Sequence, residues 1–137
     1  MGTNVRTELS PRNKYYISKE RRLELVHFCR QYPEWAKLYS DVGSGLRSVS
    51  FDGIRFDGVS NPTEQTAELL LYLRSRMDMV EAAADLSDDA IGIYIFKGAT
   101  EGKSFANLKM VYRIPCERDM YYDRLHRFFW NLSKLRE

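Results

Sequence analysis

The sequence predicts an all-α fold, a small helical bundle that ends in a helix-turn-helix. Three observations predict it. Apolar residues recur at three- and four-residue steps through most of the chain. A Ser, Asp or Asn stands at the head of most of these stretches, where its side chain can accept from a free helix N–H. The last third, residues 87–137, reads as helix, turn, helix, tight break and helix. A chain of 137 residues with 44% hydrophobic and 13% aromatic content suits one domain or two small helical lobes with a real core.

Three segments follow from the pattern: an N-terminal arm and helices over 1–42, a linker or hairpin over 43–60, and a long helix plus helix-turn-helix over 61–137. Residues 1–13 read as a polar, mobile arm. Ser18 caps a first helix, KERRLELVHFCRQY, with Leu25, Phe28, Cys29 and Tyr32 on one face. Pro33 interrupts it and opens PEWAKLYSDV, so a kink is expected near Tyr32. Residues 43–60 break the helical pattern. Val49, Phe51, Ile54 and Phe56 flank Asp52-Gly53, a turn dipeptide that allows a short β-hairpin at about 48–57. That hairpin is either an arm that touches a partner or an ordered linker covering the core.

Asn61, Pro62 and Glu64 signal the start of the longest helix, expected from 62 to about 86. Its stripe of Thr66, Leu69, Leu70, Leu73, Met77, Val80 and Ala84 suits a core helix or a homodimer seam. Ser87, Asp88 and Asp89 cap AIGIYIFKGAT, in which Ile91, Ile95 and Ala99 share a face. Its IGIYIF run would also suit a buried strand.

Ser104 then caps a short helix carrying Phe105, Leu108 and Val111, and Arg113, Ile114 and Pro115 form the turn, Ile114 pointing inward. Along the final helix Tyr121, Leu125, Phe128, Leu132 and Leu135 form an inward stripe. The second helix of such a motif enters the DNA major groove and reads bases from its N-terminal part. The candidate readers are therefore Glu117, Arg118, Asp119, Tyr122, His126 and Arg127. Arg can pair bidentately with guanine, and an acid can accept from cytosine N4. Lys103, Lys109 and Arg113 fall where the sugar-phosphate backbone would pass. The alternative is a solvated face laced by internal Arg–Asp pairs.

Net charge is +2, but residues 1–30 carry +4, 31–102 carry −6 and 103–137 carry +4. Basic ends suit phosphate contacts. Cys29 and Cys116 match no metal spacing and read as two free thiols in a reduced cytosol. His27 and His126 have no partner at ligand spacing, and no phosphate loop, nucleophile elbow or carboxylate pair stands out. No enzyme, cofactor or metal is expected. No apolar run reaches the ~20 residues of a membrane span. The N-terminus lacks the apolar region of a signal peptide, and Arg6 spoils a myristoylation signal.

YYISKERRLELVHFCRQYPEW, SNPTEQTA and FANLKMVYRIPCERDMYYDRLHRFFWNLSKLRE together resemble a phage late-transcription activator family, the RinA/ArpU-like regulators of Gram-positive phages. Their C-terminal half is similar to the promoter-reading region of sigma factors. The resemblance covers residues 15–35 and 61–137 and is strongest over IPCERDMYYDRLHRFFWNL; residues 43–60 fit less well. It implies a phage or prophage origin, a DNA-binding protein of the bacterial host cytoplasm, and activation of late genes. It places Arg118, Tyr121, Tyr122 and Arg124 on the recognition helix.

Two function classes compete. One is a transcriptional regulator that binds double-stranded DNA, with RNA polymerase or another large protein as a further partner. The other is a phage interaction protein on a DNA-binding scaffold. A small terminase subunit and an inhibitor of a host defence nuclease are examples of it. The acidic middle segment suits that second class, because negative surface can occupy a nucleic-acid channel. A metal-dependent nuclease ranks behind both.

Overall fold

Ser18 accepts from the Arg21 N–H and Ser104 accepts from the Asn107 N–H, so two helices begin where their caps predict. The computed structural model describes residues 9–43 and 62–137. These form α1 (Lys19–Arg30), α2 (Tyr32–Gly43), α3 (Pro62–Ser87), α4 (Gly92–Glu101), α5 (Phe105–Val111) and α6 (Arg118–Leu135), with no strand among the described residues. The fold is all-α, a small helical bundle. The hairpin considered at about 48–57 lies outside the described residues.

The long helix α3 is the spine. It packs against α6, α2 and α4, while α1 bridges α4 and α6. Leu69, Leu73, Met77, Val80 and Ala84 are all buried, so the α3 stripe is used inside the chain rather than held free as a dimer seam. Gln31 alone separates α1 from α2, and its carbonyl accepts from both Glu34 and Trp35, which produces the expected break beside Pro33. IGIYIF is helix, not strand, with Ile91, Ile95 and Ala99 turned inward. α4 starts two residues later than AIGIYIF suggests. The Asp88 side chain accepts from Ala90 and Ile91 at 2.7 and 2.9 Å, holding a turn ahead of the helix. Ser87 ends α3 instead of capping α4, and donates to the Ala84 carbonyl.

Two glycines set the close approaches. A Cβ on Gly92 would stand 2.8 Å from the Ala84 carbonyl oxygen, where α4 turns back onto α3. One on Gly98 would stand 2.4 Å from the Tyr121 hydroxyl, where α6 meets α4. Residues 9–13, part of the expected mobile arm, form turns in which Asn13 and Tyr16 bond back to Ser10 and Asn13. Tyr15 then stands edge-on to Trp130 of α6 at 5.2 Å.

Candidate nucleic-acid interface

The turn between α5 and α6 is built from backbone bonds around one buried anchor. Leu108 is fully buried, and its carbonyl accepts from both Tyr112 and Ile114 N–H groups. Arg113 lies between them with φ +56°, in the left-handed region that reverses the chain. Ile114 fills the core beneath, the inward position expected of it in the turn. Lys109 Nζ donates to the Cys116 carbonyl at 3.3 Å, tying α5 to the far side of the turn.

α6 starts at Arg118 behind Glu117, whose side chain makes no capping bond. Glu117, Arg118, Asp119 and Met120 are exposed. The acids at Glu117 and Asp119 sit favourably by the positive end of the helix dipole. Arg118 lies 5.1 Å from the Tyr122 ring, a cation–π pair that holds the guanidinium one turn up the same face.

The remaining expected readers are placed differently. His126 departs from the expectation: it is 7% exposed, with Nδ1 3.3 Å from an Arg22 nitrogen. Arg127 Nε lies 3.2 Å from Asp123, and its guanidinium rests over the Tyr15 ring at 5.0 Å. Arg124, assigned to the recognition helix by the resemblance, binds Asp88 at 2.8 Å and also Asp123. These residues lock α6 to the body. Tyr121 is core, tilted against Phe105 and edge-on to Tyr122. Phe129 is buried as well, so the inward face of α6 is wider than the expected stripe, while Leu135 and Val111 are exposed. The α6 face therefore divides. Its first turn and Tyr122 are presented outward, and Lys109 and Arg113 are exposed on the adjoining helix and turn.

The spacing along α6 does not show what lies beside it. Lys103 and Tyr122 line a cleft whose opposite wall is Arg22 and Arg30 of α1. Nothing in a linear pattern pairs residue 30 with residue 103, and only the packing of α1 on α4 and α6 brings them together. Where α3 gives way to α4 a larger cleft, about 420 Å³, is lined by Glu81, Asp85, Asp88 and Asp89 with Phe96 and Ile93. Cys29 and Cys116 are buried and unpaired, and burial pushes the Cys29 thiol up to about 12. No helix among the described residues is long and apolar enough to cross a membrane. No family model, curated protein or solved structure matches this chain.

Proposed function

We propose that the chain is a phage-encoded transcriptional regulator that binds double-stranded DNA through α5, the Arg113 turn and α6. The observation that carries this is the division of α6. Its C-terminal two thirds are fixed by Phe128, Phe129, Leu132 and the Asp88–Arg124 pair, while its first turn presents Arg118 and Asp119 to solvent beside the half-buried Tyr122. Rigid support behind a polar helix N-terminus is the geometry that major-groove reading needs. In this proposal Arg118 contacts base edges, Tyr122 orients it, and Lys103, Lys109 and Arg113 meet phosphates. The phage origin, the bacterial cytoplasm and a role at late promoters rest on the resemblance over residues 15–35 and 61–137. RNA polymerase and a second copy of the chain are further partners in this proposal.

The test is a mobility shift on DNA from the encoding phage, repeated at rising salt. Wild-type binding weakens steeply with salt. Arg118→Ala with Tyr122→Ala removes the shift while circular dichroism still shows the helices. Undiminished binding by that double variant would sink the assignment of α6 as reader.

A second function is favoured by the acid-rimmed cleft. Asp85 and Asp89 present negative charge beside the apolar Phe96 and the exposed Ile93, which suits an interaction protein on the same scaffold. Co-purification with one large protein, and no shift of any DNA, would favour it.

A further inference from the structure

The cleft between α1 and α6 has a chemistry that the helix-turn-helix does not by itself supply. Arg22 and Arg30 come from α1, Lys103 from the link between α4 and α5, and Tyr121 and Tyr122 from α6. Among the described residues no carboxylate lines it. Glu101, close in sequence, is engaged by Lys97 at 3.2 Å. Arg22 is held over the Phe129 ring at 4.7 Å, and Arg30 lies against Gly102, the left-handed residue that ends α4. Arg22 and Arg30 are thus positioned by different contacts.

The Tyr121 hydroxyl is the second observation. The residue is almost fully buried, yet it lines this cleft and its hydroxyl makes no hydrogen bond among the described residues. The ring is held in the core, while the hydroxyl opens onto the cleft, where a bound group can reach it. Burial also pushes its pKa up, so it stays a donor. Three cations and an O–H that can donate into the same cleft suit an oxyanion. Size narrows the class. At about 170 Å³ the cleft has room for roughly five or six waters at ~30 Å³ each. That seats a phosphate group with part of its shell. It falls short of the ~300 Å³ where small-molecule sites begin.

We infer that the cleft bounded by Arg22, Arg30, Lys103 and the Tyr121 hydroxyl is a phosphate-binding site that seats one backbone phosphate of the bound DNA. The DNA source rests on the function proposed above; the phosphate chemistry does not. The interface then runs from the first turn of α6 through Tyr122 onto α1, and α1 fixes register rather than reading bases.

The test uses the full chain, with Arg30→Gln/Lys103→Gln as one variant and Tyr121→Phe, which keeps the core ring, as another. In the DNA arm the slope of log K against log salt is measured on two DNA sequences. The double variant lowers the slope by about 0.9 per lost phosphate, with sequence preference unchanged. In the second arm inorganic phosphate is titrated at matched ionic strength and followed by NMR. Signals of Gly98 and Tyr122, which line the cleft and are kept in every variant, move in wild type and not in the double variant, and Tyr121→Phe weakens the response. If DNA binds but neither slope nor phosphate response changes, the site is overturned. If no DNA binds while phosphate still moves these signals, the phosphate site stands and its DNA source falls together with the proposed function.

Discussion

The corner between α3 and α4 and the entry to α6 are both dense in charge, and they use it in opposite ways. At the corner, Asp88 and Glu81 are engaged within the fold. Asp88 holds two N–H groups and Arg124, and the Ile91 N–H, Arg124 and the Ala90 N–H keep its carboxyl below the usual range. Glu81 accepts from Tyr32 and Arg74, and burial together with Glu81 raises the Tyr32 hydroxyl to about 12. At the entry to α6, Arg118 lies over the Tyr122 ring, and among the described residues no carboxylate lines the cleft beside Lys103 and Arg30. A cation without a carboxylate partner adds little to the stability of the fold, and in the function proposed above its role is to meet DNA.

The strongest way to break this contrast is Gly92→Ala. The added methyl meets the Ala84 carbonyl, a backbone atom that cannot turn aside. Such overpacking costs about 2–3 kcal/mol, or on the order of 10 °C in melting temperature for a domain of this size. DNA sequence preference is untouched once the variant is folded. A melting temperature equal to wild type would mean that the α3–α4 crossing is loose, and that Arg124 is not rigidly held.

Arg118→Ala makes the opposite prediction. It changes unfolding free energy by less than about 0.5 kcal/mol, because the side chain is exposed. It lowers discrimination between the cognate site and a single-base variant by about 1–3 kcal/mol. Competition binding with the two DNAs measures this. An equal loss on both DNAs would make Arg118 a phosphate contact instead.

Asp88→Asn sharpens the contrast through pH. The folded-state pKa of Asp88 is depressed, so its ionised form stabilises the protein at neutral pH, and that contribution is lost as pH falls through and below about 4. Asn keeps the turn acceptor and loses the charge on Arg124. The pair is partly exposed, so the cost at pH 7 is about 0.5–1 kcal/mol. Urea unfolding at pH 7 and pH 3 should show the gap closing at the lower value. A gap that persists at pH 3 would assign the loss to the turn hydrogen bonds rather than to the ion pair.

Much of the fold is legible in the residues because local signals and packing agree. Ser18 and Ser104 cap as expected, and the 3.6-residue stripe of α3 is its buried face. The departures share a cause. α6 lies between α1 and α3, so it buries two flanks rather than one, and His126 and Phe129 turn inward beside Tyr121 and Phe128. α5 is only seven residues long and is anchored by Leu108, which leaves Val111 60% exposed despite its helical spacing. Arg127 and Arg124 read as exposed cations until tertiary packing supplies Tyr15 and Asp88. The first turn of α6 is legible because its exposure depends on local periodicity. The cleft is not, since Arg30 and Lys103 meet through tertiary structure alone.

The smallest expected effect separates backbone from side chain at the turn itself. Arg113 holds φ +56°, a conformation that costs a non-glycine residue about 1–2 kcal/mol. Gly removes that strain but has more backbone freedom to lose on folding, about 0.5–1 kcal/mol. Arg113→Gly is therefore expected to stabilise by about 0.5–1 kcal/mol, a few degrees in melting temperature. Arg113→Lys keeps both the strain and the charge and leaves stability unchanged. In DNA binding the order reverses: Lys retains the salt slope and Gly lowers it by about 0.9, one phosphate contact. If Gly instead lowers the melting temperature, the Arg113 side chain holds the turn, and its exposed charge is structural like that of Arg124. If Gly stabilises and the slope does not move, the turn is strained for the reversal alone and the phosphates lie nearer Lys109 and the cleft.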